Sequence, residues 1–269
     1  MAHIQLNVFS KTLRTKTNLR VILPTPLTSD AVMESSNIGV TPSRFNYYSD
    51  SLNVPVLYLY HGTFGDDSDW VRFSRIESYA QEYNIAVVMP NAANSCFRNM
   101  PRGGPRYYSF LTDELPEIVN WMFPVSRKRE DTFVAGLSMG AYGAFYIGMS
   151  CPEKFSHVAC LSGAYGGFKN FGTDSVWSLA FADDEKLENT DEDLYYLSEK
   201  LTKEAAGYPE LYICCGTEDM IYSETERFRL HLNHIGMNYT YHEQPGKHDF
   251  AFWDDEIKRV LEWLPISKR

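Results

Sequence analysis

From residue 54 onward the chain alternates short, almost wholly apolar runs with segments of helical periodicity, and this alternation limits the fold most. The runs are "VPVLYLY" (54–60), "IAVVMP" (85–90), "TFVAGL" (132–137), "HVACLSG" (157–163), "LYICCG" (211–216) and "NYTYHEQ" (238–244). Strands of this kind have no polar face to offer water, so they belong in a parallel sheet covered on both sides. Two earlier runs, "IQLNVFS" (4–10) and "NLRVILP" (18–24), alternate polar with apolar residues and lie close together, as an antiparallel edge pair would.

The segments between the runs read as helices. "DDSDWVRFSRIESYAQEYN" opens with capping residues and is expected to form one helix. "YYSFLTDELPEIVNWMF" spaces Phe110, Leu111, Leu115, Ile118, Val119 and Met122 along one helical face, with a proline expected to kink it. "SMGAYGAFYIGMSCP" is compact and stops at Pro152, "SETERFRLHLNHIG" stops at Gly236, and "FAFWDDEIKRVLEWLP" is the last. The expected architecture is one α/β domain spanning 1–269: a doubly wound, mostly parallel sheet of eight strands with helices on both faces. The stretch 164–205 is too long for a plain crossover and reads as a partial cap over the C-terminal edge of the sheet, where ligands bind in such folds.

Charge and composition exclude some functions. A net charge of -10 argues against nucleic-acid binding. No stretch approaches the roughly 18 uninterrupted apolar residues of a membrane helix, and "MAHIQLNVFSKTL" reads as a strand rather than a secretion signal. The five cysteines are scattered among apolar neighbours without CxxC spacing, so neither a zinc site nor a disulfide framework is expected. Buried thiols in a reducing, cytoplasmic compartment follow from that usage.

The chemistry begins at Gly136-Leu137-Ser138-Met139-Gly140, a GxSxG string between an apolar run and a helical segment. A strand-to-helix turn of this form strains the serine backbone and holds its hydroxyl out at a helix N-terminus. A hydroxyl is a poor nucleophile, so a base and an orienting acid are needed later in the chain. Of the seven histidines, His3, His157, His231, His234 and His242 sit in terminal, strand or helix contexts with structural explanations. His248 stands in the Pro-Gly loop "QPGKHDFAFW" and is the expected base. The acid is expected at Asp219 in "GTEDM", with Glu218 as the alternative; Asp249 is too close in sequence to the histidine. The oxyanion hole is expected to use the N–H of Met139 and that of Thr63 in "HGTFG", with Phe64 as second choice, while His61 orders the loop.

These motifs resemble the esterase D-like branch of α/β-hydrolases, with the tributyrin esterases of lactic acid bacteria the most similar group. The resembling segments are "YHGTFGDDSDW", "VVMPNAANSCF", "YYSFLTDELPEIV", "RKREDTFVAGLSMGAYGAF", "KFSHVACLSGAY", "LYICCGTEDMIY" and "PGKHDFAFWDDEI", which span nearly the whole chain in order. The resemblance implies cofactor-free hydrolysis of short-chain acyl esters with Ser138, Asp219 and His248 as triad. Feruloyl and acetylxylan esterases, formylglutathione hydrolases and mycolyltransferases belong to the same superfamily, so sugar esters and acyl transfer are the alternatives. The partner implied is a small-molecule ester, with self-association into a homo-oligomer left open. A non-catalytic binding protein of this fold would be expected to lack part of the triad.

Three departures from the family pattern stand out. The "HGTFGDDSDW" loop lacks the cysteine of formylglutathione hydrolases, which disfavours that activity. Ala141 replaces a second glycine after the elbow, and Cys96 replaces an aromatic and is expected to reshape the pocket. The loop "CFRNMPRGGPRYY" carries Arg98, Arg102 and Arg106, read either as a solvated surface or as a contact for a substrate carboxylate or sugar. Tyr165, Phe168 and Trp177 are candidates to wall the acyl pocket, or else form the small core of the 164–205 excursion.

Overall fold

The computed structural model describes residues 1–26, 52–166, 176–181, 187–204 and 207–266. Among them, strands β1 (Ala2–Ser10), β2 (Thr15–Leu23), β3 (Val56–Tyr60), β4 (Ala86–Pro90), β5 (Thr132–Leu137), β6 (His157–Leu161), β7 (Glu210–Gly216) and β8 (Thr240–Gln244) form one sheet in the order β1-β2-β4-β3-β5-β6-β7-β8. β1 pairs antiparallel with β2, and β2 antiparallel with β4; β3 to β8 run parallel. Every apolar run in the sequence therefore falls on a strand.

Alternate residues of the central strands feed two separate cores. Val56, Tyr58, Val134, Val158, Cys160 and Ile213 face one side, while Leu57, Leu59, Ala135, Ala159, Leu161 and Cys214 face the other. Helices α1 (Asp69–Phe73), α2 (Ile76–Glu82) and α7 (Phe250–Trp263) cover the second side. Helices α3 (Leu115–Met122), α4 (Met139–Ser150), α5 (Leu194–Lys203) and α6 (Tyr222–Ile235) cover the first. α4 is buried from Met139 through Met149, which explains why its sequence is apolar all round.

Two helical expectations need correction. The segment expected as one helix divides into α1 and α2 at Ser74, whose backbone is extended (φ −134°, ψ 175°). Asp254 of α7 fixes the break by accepting from the Arg75 backbone N–H at 2.7 Å and from Arg75 Nε at 2.9 Å. The irregularity expected at Pro116 is a π-helical turn, Phe110–Glu114, placed just before the proline. That turn delivers the Glu114 carboxylate to the β1–β2 hairpin, where it accepts from Ser10 Oγ (2.6 Å), Lys11 N (2.8 Å) and Thr12 N (2.9 Å). Gly236 ends α6 in the left-handed conformation (φ 73°), as its place in the sequence requires.

His157, at the start of β6, packs edge-on between Phe133 (5.5 Å) and Trp263 (4.9 Å). Burial, helped by the Arg129 charge, lowers its imidazole from 6.5 to about 4. The unfolded chain then takes up this proton below pH 6.5 and the folded chain only below about pH 4, so stability falls across that window as pH drops. Replacing His157 with Gln should flatten the pH dependence of the urea midpoint between those limits; an unchanged slope would contradict the assignment.

Candidate active site

The GxSxG turn forms the junction of β5 and α4. A methyl group at Gly136 would sit 2.2 Å from the Gly140 carbonyl oxygen, and one at Gly140 would sit 2.5 Å from the His61 carbonyl oxygen. Only glycine allows the strand, the helix and the β3 loop to close to this distance. Ser138 lies between them at φ 54°, ψ −117°, a conformation that L-residues rarely adopt. Its backbone is tied on both sides: its N–H donates to Leu161 O at 2.9 Å, and its carbonyl accepts from Ala141 N at 3.0 Å. Ala141 is fully buried and leaves this turn undisturbed.

The loop after β8 carries His248 to the same edge. Its Nε2 lies 2.9 Å from Ser138 Oγ, and its Nδ1 lies 2.9 Å from each carboxylate oxygen of Asp219. An ionised carboxylate can only accept, so Nδ1 donates to Asp219 and Nε2 is the ring nitrogen that faces the serine hydroxyl. Burial alone would raise the Asp219 carboxyl. Hydrogen bonds from His248, from the Ile221 backbone N–H (2.9 Å) and from Ser162 outweigh burial and hold it below the usual carboxylate value. Glu218, next to it, is exposed, and of the two acids the structure brings Asp219 to His248. Asp249 caps α7 by accepting from Ala251 N (3.1 Å) and Phe252 N (3.2 Å). Trp253, one turn into α7, sets its ring edge-on to His248 at 4.9 Å and donates Nε1–H to Ser162 Oγ at 3.1 Å.

The loop after β3 closes the other side. Buried His61 donates Nδ1–H to Gly62 O (2.7 Å) and accepts at Nε2 from Ala92 N (3.0 Å), which fixes one tautomer. Burial lowers its pKa, so the ring stays neutral in this ordering role. Among the described residues, the Thr63 and Met139 backbone N–H groups have no protein acceptor. The second choice for the hole, Phe64, is corrected: its N–H donates to Asn94 Oδ1 at 2.8 Å and is already engaged.

The expected substrate residues divide. Trp177 reaches the site edge, donating Nε1–H to Thr63 Oγ1 at 3.3 Å. Arg98 does not face solvent or substrate. It is 1% exposed, donates to Glu192 and to Ala180 O, and lies over the Phe181 ring at 4.1 Å. Glu192 is also met by Tyr146 Oη (3.3 Å), and its carbonyl by Tyr142 Oη (2.7 Å), both from α4. Arg102 and Arg106 are on the exposed face of the same loop, where Arg106 donates to Ser109 Oγ at 3.1 Å. Tyr165 is a core residue, stacked on Phe228 at 4.2 Å and 1% exposed. Cys96 is fully buried. Phe168 lies outside the described residues. The Arg98–Glu192 pair, Asn94 and Trp253 were not legible as site-supporting residues, because each acts through a partner remote in sequence.

Comparison with known proteins decides the family. A family model described as "Putative esterase" matches residues 29–264. The chain belongs to this esterase family. The esterase is 30% identical to an acetyl esterase of Caldicellulosiruptor saccharolyticus, with 98% of each chain covered. Its structure is similar to that of FphF, a fluorophosphonate-binding serine hydrolase of Staphylococcus aureus in a substrate-bound form (TM-score 0.85, 32% identity, 98% of each chain). It is also similar to an S-formylglutathione hydrolase, FrmB, from the same organism (TM-score 0.82, 32% identity, 98% of each chain). With the sheet order above, these neighbours identify the α/β-hydrolase fold of the esterase.

The strained elbow generates a stability prediction. Glycine tolerates positive φ and alanine does not, so Ser138→Gly should be more stable than Ser138→Ala by about 1 kcal/mol. Chemical denaturation of the two variants measures this difference. Equal stabilities would mean that the turn stores no backbone strain.

Proposed function

We propose that the protein is a serine carboxylesterase that hydrolyses short-chain acyl esters through an acyl-enzyme on Ser138. The observation that carries this reading is the relay Ser138 Oγ–His248–Asp219, with 2.9 Å contacts, set at a strained turn beside two amide donors that have no acceptor among the described residues. In this reading His248 Nε2 takes the serine proton as Oγ attacks the ester carbonyl. Asp219 holds the imidazole in the required tautomer and stabilises the imidazolium. The Met139 and Thr63 N–H groups take the developing oxyanion, where helix α4 presents its positive end. His248 then protonates the departing alcohol, and water repeats the sequence to release the acid.

The short-chain preference draws on the acetyl esterase relative and on the tributyrin-esterase resemblance. Feruloyl or acetylated-sugar esters and acyl transfer to an alcohol are the alternatives on the same machinery. A formyl thioester is a second reading, favoured by the likeness to FrmB and opposed by the cysteine-free oxyanion loop. Among the described residues no helix is long and apolar enough to cross a membrane. Five buried, unpaired cysteines fit a cytoplasmic setting. The 164–205 stretch is read as a partial cap on a single domain, since its residues Trp177, Ala180 and Glu192 contact the site loops.

Ser138→Ala should lower turnover of p-nitrophenyl acetate and butyrate by on the order of 10⁴-fold or more. Unchanged turnover by the purified variant would remove the enzyme reading and leave a binding protein. A panel of acetyl, butyryl, octanoyl and feruloyl esters, acetylated sugars and S-formylglutathione should give the highest kcat/KM for acetyl or butyryl esters. An octanoate or formyl-thioester preference would contradict the substrate assignment.

A further inference from the structure

We propose that the buried Arg98–Glu192 ion pair is a positioning device for the oxyanion loop, acting through Trp177. The inference rests on the serine-esterase reading above and assigns residues remote from Ser138 to the same reaction.

The connection is short and continuous. Arg98 leaves the β4 loop and is enclosed by protein, so its charge requires a partner. It places two nitrogens on Glu192 and a third on the carbonyl oxygen of Ala180. The Ala180 N–H in turn donates to the Trp177 carbonyl at 2.8 Å, forming a tight turn. From that turn the Trp177 indole N–H reaches Thr63 Oγ1 at 3.3 Å. The guanidinium fork therefore fixes the turn, and the turn fixes the indole against the residue whose N–H is the second oxyanion donor.

The geometry of the loop explains why such a prop matters. Thr63 lies between Gly62, tied to His61, and Phe64, tied to Asn94. The Gly62 carbonyl belongs to the peptide that carries the Thr63 N–H and accepts from His61 Nδ1 (2.7 Å) and Gly65 N (3.2 Å), so that peptide is held from inside the loop. The Trp177 bond adds a tie from outside the loop, on the Thr63 side chain. A donor aimed at the transition-state oxygen before the reaction begins avoids reorganisation during it, so its loss falls on kcat rather than on KM. Arg98, Glu192 and Trp177 are positioning residues in this scheme; none touches the reacting atoms.

A double-mutant cycle tests the scheme with p-nitrophenyl butyrate on the full chain. Trp177→Phe keeps the ring and removes the N–H, and Thr63→Val keeps the shape and removes the acceptor. Each should lower kcat about fivefold, the worth of one hydrogen bond, with KM nearly unchanged. The double variant should be no slower than either single, and Trp177→Phe should cost nothing further in a Glu192→Gln background. If Glu192→Gln does not fold, Arg98→Lys, which keeps the charge but loses the fork, serves as the background. Additive losses, a change confined to KM, or an undiminished Trp177→Phe effect without the ion pair would overturn the proposal. Ser138→Ala is measured beside them. An inactive Ser138→Ala with no coupling in the cycle removes only this inference, whereas an active Ser138→Ala removes the esterase mechanism itself.

Discussion

The close approach of Gly136 to Gly140 is the constraint on which the C-terminal edge of the sheet depends. It lets β5 turn directly into α4 and forces Ser138 into positive φ, at a cost of roughly 1–3 kcal/mol. The cost is supported by a helix buried from Met139 through Met149 and by the bond from the Ser138 N–H to Leu161 O of β6. A looser junction would release the strain and let the hydroxyl fall back against the helix as an ordinary cap.

Around that fixed point the other loops are held by bonds that leave little freedom. Asp219 stays ionised because donors surround it, and an ionised acid gives His248 a single useful tautomer. His61 is buried and neutral, so it can donate to one loop and accept from the next at once. Asp219 and the loop histidine thus have protonation states set by their neighbours.

Local pattern made the sheet and the Ser138, Asp219 and His248 positions readable in sequence. Parallel strands must be apolar on both faces, and loops that end successive strands meet at one edge, so chain order alone brings these residues together. What stayed hidden depends on partners far along the chain. The α1–α2 break is made by Asp254, 179 positions away from Arg75. Arg98 reads as a surface charge until Glu192 encloses it, 94 positions away. Phe64 reads as an amide donor until Asn94 takes its N–H. Tyr165 reads as a pocket aromatic because nothing local reveals that Phe228 covers it.

The central claim is that Ser138 carries the acyl group during turnover. Rapid acid quench of the protein with p-nitrophenyl butyrate, followed by peptide mapping, locates that group directly. The account predicts a butyryl adduct on Ser138 that forms at the rate of the nitrophenol burst and is absent in His248→Ala. An adduct on another residue, or full turnover with no adduct on the Ser138 peptide, would contradict it.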